Sequence, residues 1–142
     1  MEMIEVFGTV KKLLNWSAER NKMTVDYGVK YQLCMSEIHI IEMIGEQPGI
    51  LQIQLCEQTG LTKGRVSVIV SNLVKKEMVI RNRTLENKKE MPLMLTSMGK
   101  TAYLNHKERD LKIFQEIQNV MSLYSEQELE HFNACILQTI DI

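Results

Sequence analysis

Residues 52–73, QIQLCEQTGLTKGRVSVIVSNL, have the spacing of two short helices joined by a tight turn. Cys56 is small enough to let the two helices cross closely, and Gly60 follows four residues later, where the turn needs a residue that tolerates a positive φ. The apolar residues on one side of the second helix are Leu61, Val66, Ile69, Val70 and Leu73. This spacing predicts a helix-turn-helix whose second helix buries that side.

The other side of the second predicted helix carries residue types that contact DNA. Arg and Asn hydrogen-bond base edges, Ser bonds bases or phosphates, and Val68 can contact a thymine methyl group. Thr62 at the helix start leaves backbone N–H groups facing any nearby phosphate. An amphipathic helix pair with no DNA ligand has the same pattern. The candidate DNA-binding residues of this helix are Thr62, Lys63, Gly64, Arg65, Ser67, Val68, Ser71, Asn72 and Lys75.

Charge is distributed unevenly along the chain. Residues 61–90 hold eight Lys or Arg and three Glu, a net charge of +5, whereas the other 112 residues carry a net charge of −6. A basic segment in an otherwise acidic protein is typical of binding to a polyanion, and here it favours double-stranded DNA. The basic residues are Lys63, Arg65, Lys75, Lys76, Arg81, Arg83, Lys88 and Lys89.

The flanking segments have mostly helical periodicity. Apolar residues recur at three- and four-residue steps over 3 to about 31, over 36–45 from an N-cap at Ser36, and over 96–121. A capping box at 125–128 begins a last helix. Seven glycines and two prolines among 142 residues leave little room for the turns of an all-β fold. The fold class is therefore predicted to be mainly α.

Two short stretches, 79–83 and 91–95, have the pattern of β-strands and flank a polar, charged segment. Pro92 places the second strand at a sheet edge, because proline cannot donate a hydrogen bond to a neighbouring strand. Together they predict a small β-hairpin directly after the helix-turn-helix.

Neither a membrane nor an oxidising compartment is indicated. No uncharged apolar run approaches the roughly 18 residues of a membrane span, and the N-terminus is acidic, with Glu2 and Glu5, where a secretory signal is basic. Cys34, Cys56 and Cys135 are odd in number and far apart, which favours reduced thiols over disulfides. We expect a cytoplasmic protein with no membrane partner.

Six short pieces stand in a fixed order between residues 36 and 99. They are Ser36-Glu37-Ile38-His39, Leu55-Cys56-Glu57-Gln58-Thr59-Gly60-Leu61, Val66-Ser67, Leu73-Val74-Lys75-Lys76, Val79-Ile80-Arg81 and Leu95-Thr96-Ser97-Met98-Gly99. In this order and spacing they resemble the winged helix-turn-helix core of the MarR family of bacterial transcription regulators. The flanking helices match the plan of that family, so the resemblance covers nearly the whole chain.

The resemblance implies one MarR-like domain over 1–142. Its winged-helix DNA-binding core would span about 36–99, and its dimerisation helices would span about 3–31 and 97–141. The resemblance further implies a homodimer, and often relief of repression by a ligand or an oxidant. We expect a repressor that needs no cofactor and acts on a pseudo-palindromic operator.

Two departures from the family pattern concern the hairpin, or wing. Met78 stands where the family has glycine after the recognition helix, and Asn87-Lys88-Lys89 stands where the family has Asp-x-Arg at the wing tip. Lys89 would enter the minor groove as a point charge, with poorer geometry than an arginine. Arg81, Lys88 and Lys89 complete the candidate DNA-binding set.

Metal-ligating residue types occur without metal-site spacing. His39 and Glu42 are neighbours on a helix, and Cys34, Glu37 and His106 are the other candidates, but no tight ligand spacing links them. We therefore predict ordinary hydrogen-bonding roles and no metal.

The three cysteines differ in their expected roles. Cys34 precedes a helix N-terminus, which favours a reactive thiol. However, peroxide-sensing members of the family have their reactive cysteine near the start of the first helix, where this chain has none. Cys56 and Cys135 lie on apolar faces and are expected in the core.

One feature bears on an effector. Ser36-x-x-His39-x-x-Glu42-x-Ile44-Gly45 and His106-Lys107 resemble the members that control fatty-acid synthesis genes in Gram-positive cocci. Together with ten methionines, this resemblance predicts an apolar or acyl-type effector in a crevice between the DNA-binding core and the dimerisation helices.

Enzymatic motifs are absent from the sequence. There is no Gly-rich phosphate loop, no Gly-x-Ser-x-Gly and no His-Glu-x-x-His, so the chain is not expected to be an enzyme. The alternative to a DNA-binding regulator is a helical module that uses the winged-helix fold to bind another protein.

Overall fold

The computed structural model describes residues 3–82 and 91–140. Over these residues the chain forms six helices and two separate antiparallel pairs of strands. This confirms the predicted mainly α fold with a small hairpin wing. In chain order the elements are α1 (Met3–Lys22), β1 (Thr24–Val25), β2 (Leu33–Cys34), α2 (Met35–Glu46), α3 (Gln52–Thr59), α4 (Lys63–Lys75), β3 (Val79–Arg81), β4 (Leu93–Leu95), α5 (Ser97–Met121) and α6 (Glu126–Ile140).

The chain divides into two compact units, Met1–His106 and Lys107–Ile142. The first unit holds α1 through the beginning of α5, and the second holds the rest of α5 and α6. Among the described residues, no helix is both long enough and apolar enough to cross a membrane. A single domain over the whole chain stays a prediction.

The core of the first unit lies between α2, α3 and α4. Ile38, Ile41 and Ile44 of α2 are fully buried, as is Leu55 of α3. The predicted apolar side of α4 faces them, which confirms the prediction for this helix. It consists of buried Val66, Ile69, Val70 and Leu73, with Leu61 partly buried beside them.

The turn between α3 and α4 has the predicted chemistry. Gly60 follows α3 with a φ of 69°, and its N–H donates to the Cys56 carbonyl at 2.9 Å. Glycine adopts this left-handed conformation without a steric penalty. The hydroxyl of Thr62 then accepts a hydrogen bond from the Arg65 N–H at 3.3 Å, which caps the start of α4.

The first helix is shorter than predicted. It ends at Lys22, and β1 pairs with β2 in a short hairpin where the periodicity predicted helix to about 31. Gly28 has a φ of 73° inside this hairpin, and its N–H donates to Asp26 Oδ1 at 2.8 Å. Tyr27 is buried in the core. Its burial comes from the hairpin, although its place in the apolar pattern also fitted a helix.

The start of α2 also differs from the prediction. The N-cap is Cys34 and the helix begins at Met35, two positions before the expected cap at Ser36. Glu37 explains the shift, because its Oε2 accepts the backbone N–H of Cys34 at 3.0 Å and closes a capping box. Ser36 instead has its hydroxyl 3.2 Å from the Cys34 thiol.

In the turn after α4, the position that favours glycine is Glu77, one residue before the predicted Met78. Glu77 has a φ of 57°, whereas Met78 is fully buried. The Met78 N–H donates to the Leu73 carbonyl at 2.9 Å and the Glu77 N–H to the Val74 carbonyl at 3.0 Å. These two bonds form a Schellman motif, whose left-handed position usually holds glycine. The assignment of the departure to Met78 was therefore wrong.

The wing consists of β3 and β4, which are shorter than the predicted strands. Val79 pairs with Leu95 and Arg81 with Leu93, and the Asn82 N–H donates to the Pro92 carbonyl at 2.8 Å. Because the sheet has two strands, each strand is an edge, as Pro92 predicted. Three basic residues of the predicted wing lie outside the described residues: Arg83, Lys88 and Lys89.

In the second unit, Ser125 caps α6 as predicted. Glu128 accepts the Ser125 N–H at 2.8 Å, and the Ser125 hydroxyl accepts the Glu128 N–H at 3.3 Å. The Ser125 N–H and the Ser125 hydroxyl both donate to Glu128 Oε2 at 2.8 Å, and these two bonds hold the pKa of Glu128 below its usual value. The expected core position of Cys135 was wrong, because this cysteine is exposed and α6 has no buried residue. Cys56 in the first unit is partly buried against the core.

Candidate nucleic-acid interface

The predicted DNA-binding side of α4 faces solvent. We call this surface the outward face of α4. Its Val68 side chain is 61% exposed. Ser71 is half-buried, and Thr62 at the cap is exposed. The exposed residues of the outward face are Lys63, Gly64, Arg65, Ser67, Val68, Asn72 and Lys75.

Gly64 lies in open space in the first turn of α4. A Cβ atom added to it would meet no other heavy atom within 4 Å. The packing of this chain therefore does not require a glycine there, although glycine lowers helix stability. A glycine also lets another backbone approach closely, which suits contact with a DNA phosphate.

Two of the predicted DNA-binding residues, Arg81 and Ser71, form a hydrogen bond with each other. Arg81 on β3 donates a hydrogen bond from its guanidinium to the Ser71 hydroxyl at 3.1 Å. Both side chains are half-buried, and the bond joins the wing strand to the recognition helix. The structure thus brings Arg81 to the outward face of α4, with one of its donors already used inside the chain.

Lys76, which the charge count included in the basic segment, is neutralised within the chain. Its Nζ lies 2.8 Å from both carboxylate oxygens of Glu37 and also donates to the Gln32 carbonyl at 3.2 Å. No sequence pattern predicted this pair, because the two residues are 39 positions apart.

A crevice of about 620 Å³ opens beside the outward face of α4. Arg65 belongs both to this crevice and to the outward face, so the first turn of the recognition helix borders the crevice. The lining residues are Asn21, Met35, Ser36, His39, Ile40, Glu42, Met43, Thr59, Leu61 and Arg65.

Three of the five candidate metal ligands lie near one another. Glu42 Oε2 lies 3.5 Å from Nε2 of the buried His106, and the His39 ring is 6.2 Å from the His106 ring. Imidazole and carboxylate are donors that zinc accepts. Tyr27, which the sequence did not single out, packs edge-on against the His106 ring at 5.6 Å.

The other two candidate ligands have different partners. Glu37 binds Lys76, and Cys34 caps α2. The structure therefore separates the five candidate metal ligands into one group of three and two residues with other partners. The absence of a bound metal stays a prediction.

A recognition helix that packs on a second helix and is followed by a two-stranded wing defines the winged helix-turn-helix class of DNA-binding regulators. A family model described as MarR family matches residues 27–90. The chain is 33% identical over 122 residues to the uncharacterized HTH-type transcriptional regulator YhjH of Bacillus subtilis (strain 168), covering 86% of this chain and 69% of that protein. It is 29% identical over 85 residues to the HTH-type transcriptional regulator PchR of the same organism, covering 57% of this chain and 50% of PchR. The chain belongs to the MarR family.

Solved structures share the fold. The Streptococcus pneumoniae FabT complex with DNA matches 99% of this chain and 96% of that chain, at a TM-score of 0.74 and 19% identity. The Lactococcus lactis ZitR complex with DNA matches 99% and 97%, at a TM-score of 0.81 and 12% identity. The Streptococcus pyogenes adhesin competence repressor AdcR matches 99% and 97%, at a TM-score of 0.77 and 16% identity.

These findings confirm the predicted family and fold class, and they confirm the prediction of a DNA-binding transcriptional regulator. The chain is a DNA-binding transcriptional regulator of a family whose members are regulators and not enzymes. The resemblance to members that control fatty-acid synthesis has only the likeness to FabT behind it, and at 19% identity that likeness shows the fold alone.

Proposed function

We propose that this regulator binds a pseudo-palindromic operator as a homodimer and represses transcription in the cytoplasm. The observation that carries the proposal is the outward face of α4, an exposed basic and polar surface in a chain whose net charge is −1. The proposal includes no catalytic activity and no cofactor. It divides the work of DNA binding between α4 and the wing.

The recognition helix supplies sequence specificity in this proposal. A major groove admits an α-helix, and base edges there distinguish all four base pairs. Arg65 and Asn72 hydrogen-bond base edges, Val68 contacts a thymine methyl group, and Thr62 with Gly64 brings backbone N–H groups to a phosphate. The remaining proposed contacts of α4 are Lys63, Ser67, Ser71 and Lys75.

The wing supplies charge in this proposal. Lys88 and Lys89 contact the backbone or minor groove, and Arg81 supports them from β3. Replacing both lysines by alanine should weaken all duplexes alike and lower the salt slope by about one for each lost phosphate contact. Binding isotherms at several salt concentrations, on operator and scrambled DNA, test this. A loss confined to the operator would contradict the assigned role of the wing.

Exposed apolar surfaces support the homodimer. On α1, Phe7, Leu14 and Trp16 are each about 60% exposed. The second unit has its own apolar groove of about 710 Å³, lined in part by Ile117 and Phe132. Soluble monomers rarely leave such surfaces uncovered, and a two-fold interface would cover them symmetrically.

Sedimentation tests the assembly. We expect a dimer at micromolar concentration, and Phe132→Asp should shift it toward monomer because a carboxylate would enter the apolar interface. Asn133→Asp is the matched control, since it adds the same charge at the neighbouring exposed position. A well-folded wild-type monomer would contradict the homodimer.

The competing function is a winged-helix module that binds protein and not DNA. Duplex binding that falls steeply with salt distinguishes the two, because only a DNA-binding protein must release many counterions. If the wild-type chain binds neither a selected operator nor scrambled duplex at low salt, the protein-binding module replaces the present proposal.

The crevice beside α4 is the proposed effector site, for an apolar or acyl-type ligand. Its lining combines apolar Met35, Ile40 and Met43 with Arg65, whose charge suits an acidic head group. A ligand held there would compete with DNA for Arg65. Thermal unfolding across a panel of acyl compounds, metal ions and oxidants tests this. Operator binding that responds only to Zn²⁺ or peroxide would contradict an acyl effector.

A further inference from the structure

The residue that follows the recognition helix forms an ion pair with the first turn of α2. Lys76 is the C-cap of α4, and its Nζ contacts both oxygens of the Glu37 carboxylate at 2.8 Å. The Glu37 side chain is only 8% exposed, and that of Lys76 is 28% exposed. The Gln32 carbonyl accepts a third bond from the same ammonium at 3.2 Å. This is a partly buried pair with satisfied partners and not a solvated surface charge.

The carboxylate of Glu37 is itself held in place. It accepts the backbone N–H of Cys34 at 3.0 Å, which closes the capping box of α2. The next residue, Ile38, is fully buried in the core. The Glu37–Lys76 pair therefore ties the end of the recognition helix to a fixed point on a core helix.

The backbone just beyond Lys76 is held from the other side. The Thr96 hydroxyl contacts the Glu77 carbonyl at 2.6 Å and the Met78 carbonyl at 3.2 Å. Glu77 keeps a φ of 57°, a conformation that a residue other than glycine maintains only where surrounding contacts hold it. We call residues 76–78, which follow α4, the junction. The direction in which α4 leaves this junction is thus fixed by contacts within the chain.

The end of α4 that reads DNA lies far from this junction. Arg65 precedes Lys76 by 11 residues, about 16 Å along a helix axis. A tilt of a few degrees at Lys76 would move Arg65 by about 1 Å, and hydrogen bonds to base edges tolerate little displacement.

We infer that Glu37 is a positioning residue for operator recognition. Through its ion pair with Lys76 it fixes the angle of the recognition helix, and Lys76 spends its charge on Glu37 instead of on a DNA phosphate. The inference rests on the proposed contact of α4 with an operator. It assigns an effect on specific binding to a residue in the first turn of α2, away from the outward face of α4.

The test compares Lys76→Met and Glu37→Gln with Lys75→Met, whose lysine is the exposed neighbour on the same helix. Two duplexes of equal length are used, one selected from a random pool by the wild-type chain and one scrambled. Isotherms are recorded at several salt concentrations, and thermal unfolding is followed for every variant. The double variant Glu37→Gln/Lys76→Met and the conservative Lys76→Arg complete the set.

We expect Lys76→Met and Glu37→Gln each to weaken operator binding about tenfold, and the double variant to be no weaker than either single one. Binding to scrambled duplex and its salt slope should stay at the wild-type value. Lys76→Arg should restore operator binding, because arginine also pairs with a carboxylate. Lys75→Met should weaken both duplexes and lower the salt slope by about one.

Four results would overturn the inference. A salt slope that Lys76→Met lowers as Lys75→Met does would make Lys76 a phosphate contact. Tighter binding of both duplexes by Glu37→Gln would mean that the pair only masks a positive charge. Unchanged operator binding by folded Lys76→Met would mean that the pair does not position α4, and this variant decides the matter if Glu37→Gln fails to fold. A wild-type chain that binds neither duplex would overturn the proposed function and this inference with it.

Discussion

The two ends of the recognition helix α4 differ in what they contact. At its N-terminal end, Lys63 and Arg65 are exposed and Gly64 lies in open space. At its C-terminal end, Lys76 is paired with Glu37 and the next residue has a left-handed backbone. The first end presents donors to an outside partner, whereas the second end satisfies its polar groups within the chain.

This difference separates binding from positioning. Substitutions at the N-terminal end should change DNA binding with little effect on folding, because few contacts within the chain are lost. Substitutions at the C-terminal end should change folding stability first. Gly99 of α5 packs against the junction, and a Cβ atom there would overlap the Met78 carbonyl oxygen.

The largest expected effect on stability is at Gly99, which lies close to the Met78 carbonyl oxygen. Gly99→Ala should lower the free energy of unfolding by about 3 kcal/mol, because the new methyl group would collide with backbone that cannot move aside like a side chain. Denaturant titration measures it. Gly64→Ala is the matched control in a helix, and similar stability of the two variants would contradict the close packing of α5 on the junction.

The next largest effect concerns DNA binding at the N-terminal end of α4. Arg65→Ala should weaken operator binding by about 1–3 kcal/mol and relax the preference at one base pair. Thermal unfolding should change little, since Arg65 is exposed. Isotherms on operator and scrambled duplex measure the difference. If Arg65→Ala weakens both duplexes equally, the base-reading role of this residue is wrong.

A smaller effect on stability is expected from the strained backbone of Glu77, which follows the C-terminal end of α4. Glu77→Gly should raise the free energy of unfolding by about 0.5–1 kcal/mol, because glycine adopts a positive φ without the penalty that glutamate has there. Glu77→Ala controls for the lost charge and should give no gain, since alanine keeps the backbone strain. A gain shared by both variants would trace the effect to charge.

The smallest effect on stability should come from Gly64→Ala at the N-terminal end of α4. Alanine has the higher helix propensity, and Gly64 lies in the first turn of α4, so the free energy of unfolding should rise by no more than about 0.5 kcal/mol. Operator binding should nevertheless weaken, because the methyl group would keep a phosphate away from the helix start. Parallel unfolding and binding measurements show whether the two changes have opposite signs, and unaltered binding would contradict close approach of DNA at Gly64.

Local patterns predicted much of the fold and the outward face of α4. Gly60, Thr62 and the apolar side of α4 act within one or two helical turns, and all were read correctly from the sequence. Two errors in the bounds of helices lie where local signals competed. Glu37 moved the start of α2 from Ser36 to Cys34, and Gly28 turned the expected end of α1 into a hairpin.

Contacts between distant residues were not predictable in the same way. Lys76 looked like one more basic residue until the fold brought it to Glu37, 39 positions away. Arg81 looked like a free wing contact until β3 placed it on Ser71. No periodicity or spacing records such pairs.

The sequence by itself determined the helix-turn-helix, the wing and the basic character of the segment around them, because caps, turns and helical periodicity depend on residues a few positions apart. Only the tertiary structure decided which basic side chains face outward and which are neutralised inside. That decision depends on packing, since an ammonium group is available to DNA only if the fold brings no carboxylate within reach of it. It separates Arg65 in the first turn of α4 from Lys76 at the C-cap of that helix, although both side chains carry the same charge.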